Sequence, residues 1–159
     1  MTNAFRLAAL LVGLGTFGHS AAAQEALDLE REQEVELLQA RVDNFFRSLT
    51  DPELGPERAM RELIAIGNGP LKDRTEEIAK LIEQAAALDL RYGLYTGHEA
   101  VSVKPVGSDL IFLRYLYKAE RFPIVWCFTF YRAAPIVGVQ REWSLISIKF
   151  DAKVEVLEK

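Results

Sequence analysis

The chain has little with which to do metal or thiol chemistry. One cysteine and two histidines stand among its 159 residues. A lone cysteine excludes an internal disulfide. Cys127 sits in an apolar stretch, where a thiol serves as a small buried hydrophobe. His19 falls in the N-terminal segment, so His98 is the histidine left to the folded body. That is short of the three or four ligands a zinc site gathers, and no metal is expected. No phosphate-cradling loop is present either. Gly67-Asn68-Gly69-Pro70 lacks the Lys and the Ser or Thr that must follow. No serine stands in a nucleophile-elbow sequence. No catalytic residue can be assigned and no cofactor is implied. Basic charge is also in deficit, with 19 Lys and Arg against 23 Asp and Glu. That balance speaks against a nucleic-acid partner, which requires a basic surface.

The N-terminus has the pattern of a secretory signal. Arg6 supplies a positive start, Leu7 to Phe17 is almost wholly apolar, and Ser20-Ala21-Ala22-Ala23 offers a small-residue cleavage site before Gln24. The apolar run is too short to span a bilayer comfortably, so no stable membrane insertion is expected. Residues 1–23 are read as a signal peptide and 24–159 as a single domain, exported to a bacterial periplasm. Losing Arg6 leaves 18 basic residues against the same 23 acidic ones, a formal charge of -5.

The mature chain reads as helices followed by strands. Val35, Leu38, Val42, Phe45 and Leu49 recur at steps of three and four, which predicts a helix from 24 to about 48. Asp51-Pro52 and Gly55-Pro56 break it. Pro56 opens a second helix with Ala59, Met60, Leu63 and Ile64 as its stripe. A third runs from near Leu71 to about Leu88 on Ile78, Leu81, Ile82 and Ala85, with Asp73 and Glu76 at capping-box spacing. After Tyr92-Gly93 the pattern turns extended. Strands are predicted at 94–104, 110–118, from Pro123 to about 131, and from 142 to about 150, with Gly107 taking positive φ in the first hairpin. Helices first and a meander after them make an α+β domain.

The strands carry a resemblance. Gly107-Ser108-Asp109-Leu110, Leu113-Arg114-Tyr115, the run from Pro123 to Tyr131 with Trp126, Phe128 and Phe130, then Trp143-Ser144-Leu145 and Phe150 resemble the C-terminal half of small exported NTF2-like proteins. The resemblance covers roughly residues 35 to 155. It implies N-terminal helices packed on a curved antiparallel four-stranded sheet, a cone with a cavity at its wide end, and a homodimer formed through the sheets. Enzymatic relatives with the cone, of the isomerase and cyclase kinds, use an Asp with a Tyr or an Asp–His pair, and no motif here matches theirs residue by residue. The chain also departs from the usual order, since all three helices precede the sheet.

Candidate site residues follow from the strands. Arg114 interrupts an apolar face between Phe112 and Leu116. Inside a cavity it would have to be paired, with Glu34, Glu36 or an anionic ligand; on the outer face it would be solvated on an aliphatic stem. With Tyr115, Trp126 and Trp143 it makes the candidate ligand-binding set, for a small apolar or anionic ligand. The plainer reading of the aromatics is core. Glu99 and Asp109 could pair across the first hairpin, or Asp109 could belong to the turn while Glu99 faces water. His98 would need a partner and a pocket to act as a base. The expected function is a non-catalytic periplasmic binding or accessory domain, with a small ligand or an envelope protein as partner. The alternatives are a small-molecule enzyme using the cone cavity and a structural protein–protein interaction module.

Overall fold

A computed structural model describes residues 18–134 and 141–153, with side chains from residue 25. The predicted signal lies outside the described residues up to position 17, as does the middle of the loop expected between the last two strands. The chain divides into two units, residues 1–34 and 35–159. In the first, the backbone is helical from Gly18, and Leu27 and Leu29 stand exposed among Glu25, Asp28, Glu30 and Glu32. That helix, α1 (Gly18–Thr50), runs through the expected cleavage point and continues into the second unit. No helix among the described residues is long and apolar enough to cross a membrane.

The second unit contains the fold. α1 ends where Asp51 folds its carboxylate back to accept from the backbone N–H of Glu53 (2.8 Å) and Leu54 (3.2 Å), which turns the chain at the predicted break. α2 (Gly55–Ile64) follows with Pro56 in its first turn. Its predicted stripe of Ala59, Met60, Leu63 and Ile64 is the part it buries. The predicted third helix is three pieces: a 3-10 turn at Pro70–Asp73, α3 (Thr75–Ala86) and α4 (Leu88–Tyr92). The break falls after Asp73, so the expected capping box does not form and Arg74 caps α3 without a side-chain bond.

β1 (Tyr95–Val106), β2 (Leu110–Ala119), β3 (Ile124–Arg132) and β4 (Trp143–Asp151) pair antiparallel in the order β1-β2-β3-β4. Gly107 turns the first hairpin at φ 61°, as its position predicts. The sheet corrects the main fold expectation. It is flat and open, with β1 and β4 as its outer strands, and is not the curved NTF2-like cone. The register shows why. Curling a sheet takes bulges that bend its central strands. Here the irregularities fall between β1 and β2 and between β3 and β4, while β2 and β3 pair without a slip from Leu110 with Tyr131 to Tyr117 with Ile124.

The core lies on one face of this sheet. Ile111, Leu113, Tyr115 and Tyr117 of β2, Ile124, Trp126, Phe128 and Phe130 of β3, and Leu145 and Ile148 of β4 are buried there with Leu38, Val42, Phe45 and Phe46 of α1. The space that a cone would leave empty is filled by rings. Phe45 meets Trp126 edge-on at 5.4 Å and Phe46 meets it at 5.7 Å, while Phe150 stacks on it at 4.3 Å. Edge-to-face and offset contacts of this kind add to the area term.

Candidate functional site

The four candidate ligand-binding residues do not converge. Tyr115 and Trp126 are register partners on the helix face, 1% and 0% exposed. Trp143 shares that face at the start of β4, half-buried, with the Arg132 guanidinium 4.8 Å from its ring centroid. Arg114 is on the other face. It stands in a row with Ser102, Cys127 and Lys149 across the sheet, half-buried rather than enclosed. The sheet itself therefore separates the cation from the aromatics. Cys127 is half-buried in that row, and burial pushes its thiol pKa up despite the two cations beside it. The indole N–H groups of Trp126 and Trp143 are buried with no acceptor among the described residues.

What the fold does bring together is a polar chain at the margin of the core. β1 places His98 on the helix face, opposite Tyr117. α1 places Asp43 one position beyond Val42, at the edge of its apolar stripe. His98 Nε2 lies 3.3 Å from Asp43 Oδ1, and Nδ1 lies against the Tyr95 hydroxyl in a short hydrogen bond. The arrangement is satisfied by a neutral imidazole. Tyr95 O–H donates to Nδ1, and Nε2–H donates to the carboxylate. The imidazole packs on Phe46, with ring centroids 4.6 Å apart. Tyr115 completes the group by donating to the carbonyl of Gln39 at 3.4 Å.

Tyrosine, histidine and aspartate in sequence could in principle relay a proton. Electrostatics keep the tyrosine hydroxyls protonated. Burial, then the Asp43 charge, pushes the Tyr95 pKa up, and the same two causes raise Tyr115 well above its ordinary value. A tyrosine that must act as a base or nucleophile needs the opposite shift. The His98 side chain is 15% exposed and Asp43 40%. The group thus ties the edge strand β1 to α1 with its polar atoms satisfied. Sequence reasoning singled out His98 but not Asp43, which lies 55 residues away. The signal for it is the run Gln39, Asp43 and Phe46, which puts two polar residues on a helical stripe beside the core.

The other candidates resolve simply. Asp109 sits at the first hairpin, where Arg141 donates a short hydrogen bond to it and the Arg132 Nε lies 3.9 Å away. The Arg141 bond holds the carboxyl below its ordinary pKa. Glu99 does not meet it and pairs with Lys118 at 2.6 Å on the exposed face. Gly67 and Gly69 serve close approach. A Cβ on Gly67 would come within 2.6 Å of the Trp143 carbonyl oxygen, and one on Gly69 within 2.5 Å of that of Leu145. The loop that lacked phosphate-binding residues is thus the cover over the start of β4. No group of three or more His, Cys, Asp or Glu side chains that could hold a metal occurs among the described residues.

Comparison with family models, with curated proteins and with solved structures finds no match.

Proposed function

We propose that this chain is a non-catalytic binding or accessory domain of the bacterial envelope, which meets its partner on the outside of the sheet and helices. The observation that supports it is the filled interior. Phe45, Phe46, Trp126 and Phe128 occupy the space between helices and sheet and are buried to within 2% of completely. An interior site for a small ligand would need that space. Export is supported by Arg6, the apolar run from Leu7 to Phe17 and the alanines before Gln24.

The test is complementation of a deletion in the native host. A Tyr95→Phe, Asp43→Asn, His98→Gln variant is first shown to be folded by circular dichroism. It should restore the lost phenotype as the unaltered chain does. Loss of complementation by the folded variant would overturn the non-catalytic reading. Mass spectrometry of the same protein from the periplasmic fraction should find a mature start at Gln24. A retained signal would overturn the export reading.

A further inference from the structure

The two ends of β4 are treated differently. At its start, the glycine loop lies against Trp143 and Leu145. Further along, the strand keeps β3 as its only partner in the sheet, so the outward backbone groups of its second half have no strand beside them among the described residues. There a cleft of about 490 Å³ opens between α3 and the second half of β4, reaching Val125 and Cys127 of β3. Ile78 and Leu81 of α3 form one wall, and Ile148, Lys149 and Phe150 the other. α3 leaves room because it is lightly seated. Ala85 is its buried residue, while Ile78, Leu81 and Ile82 are only partly covered.

The charges in the cleft are unequal in their freedom. Glu77 is taken by Arg74 at 3.3 Å, and Asp151 accepts from the backbone N–H of Lys153 at 3.0 Å. Lys80 and Lys149 line the same cleft and make no ion pair among the described residues. With Glu77 set against Arg74, two lysines stand against the single carboxylate of Asp151, so the balance in the cleft is positive in a chain whose net charge is negative.

We infer that this cleft is a strand-addition site for an extended peptide whose apolar and acidic residues alternate. Resting on the non-catalytic reading above, this names the partner class. An added strand hydrogen-bonds along the free edge, and side-chain pockets at every second residue give it specificity. Successive side chains of such a strand point to opposite faces. Those on the side of Ile148 and Phe150 enter the space under Ile78 and Leu81 and must be apolar. Those on the other side stand beside Lys149 and are best acidic. The backbone edge, the apolar wall and the free lysines thus each specify one property of the same ligand.

The probe is a fluorescein-labelled, acetylated peptide of alternating Val and Glu, titrated into the mature chain and read by anisotropy. Saturable binding is expected. N-methylation of alternate amides on the pairing edge should abolish it. Lys149→Glu should weaken it clearly, since it sets like charges side by side. The same variant should bind a Val and Lys peptide better than the unaltered chain does, which shows that it is folded. Absence of saturable binding, indifference to N-methylation, or indifference to Lys149→Glu would each overturn the site. Such a failure leaves the non-catalytic reading standing if the Tyr95, Asp43, His98 variant still complements, so the two outcomes are separable.

Discussion

The two faces of the sheet are built from the same kinds of residue and have opposite fates. On the helix face, Trp126 is 0% exposed and packs among rings. On the other, Phe112 is 38% exposed and has Lys104 and Thr129 as its register partners. Both faces of β2 are apolar in sequence, so alternation alone cannot rank them. What separates them is the helices, which can bury their stripes against one face only. The helix-free face is where charge is tolerated: Lys104, Arg114, Lys118 and Lys149 all lie on it. An antiparallel sheet with one face packed and one solvated is a stable arrangement.

The sharpest way to break the comparison is to truncate one aromatic on each face. Trp126→Ala should cost about 3–5 kcal/mol, in the range of large core truncations. Phe112→Ala should cost about 1–2 kcal/mol, since at 38% exposure only part of the ring's transfer free energy is there to lose. Urea denaturation of both variants measures the difference. Near-equal losses would mean that the second face is buried as deeply as the first.

The helix face also sets an alkaline limit. Burial raises the pKa of Tyr115 and Tyr117 well above the ordinary value of 10.0, helped by Asp43 and Asp89 respectively. A group whose folded pKa lies above its unfolded one contributes stability that is fully present below the unfolded value. That contribution is lost as pH rises through about 10 toward the folded value. The expected outcome is a fall in the urea midpoint above about pH 10, shallower in Tyr115→Phe and in Tyr117→Phe than in the unaltered chain. Identical slopes in all three proteins would place both hydroxyls in solvent.

How much of this was legible depends on whether a neighbour in space is a neighbour in sequence. The strands fall within a residue or two of the aromatic and β-branched runs that announce them, and Gly107 and Pro56 take the places their backbone chemistry assigns. The third helix fragments because Leu71 is buried by a separate 3-10 turn, a tertiary anchor that periodicity alone does not reveal. The cone was an inference from a pattern of aromatic strands, and that pattern fixes neither bulge position nor curvature. Arg114 had two readings because β2 has two apolar faces, and the structure puts it on the helix-free one. Asp43 and His98 share a site through a contact between α1 and β1 that neither segment encodes alone. The cleft beside β4 depends on how lightly α3 sits, which is a packing property.

The smallest effect is expected at the hairpin rim, where neither face is buried. Asp109 is partly exposed, and its pKa is lowered first by the Arg141 hydrogen bond and further by the Arg141 and Arg132 charges. With the folded pKa below the ordinary 3.8, the unfolded state binds the proton more tightly. The stability this carboxylate contributes is therefore present above about pH 4 and lost as pH falls through the folded value. Exposed ion pairs are weak and screened by salt, so the contribution is slight and should shrink as salt is added. Asp109→Asn should lower the urea midpoint slightly at pH 6 and low salt, with the two proteins converging at pH 3 and in high salt. A gap between them that persists at pH 3 would show that the side chain acts through the shape of the turn, and that the charge on Asp109 contributes nothing to holding β2 and the end of β3 at this corner.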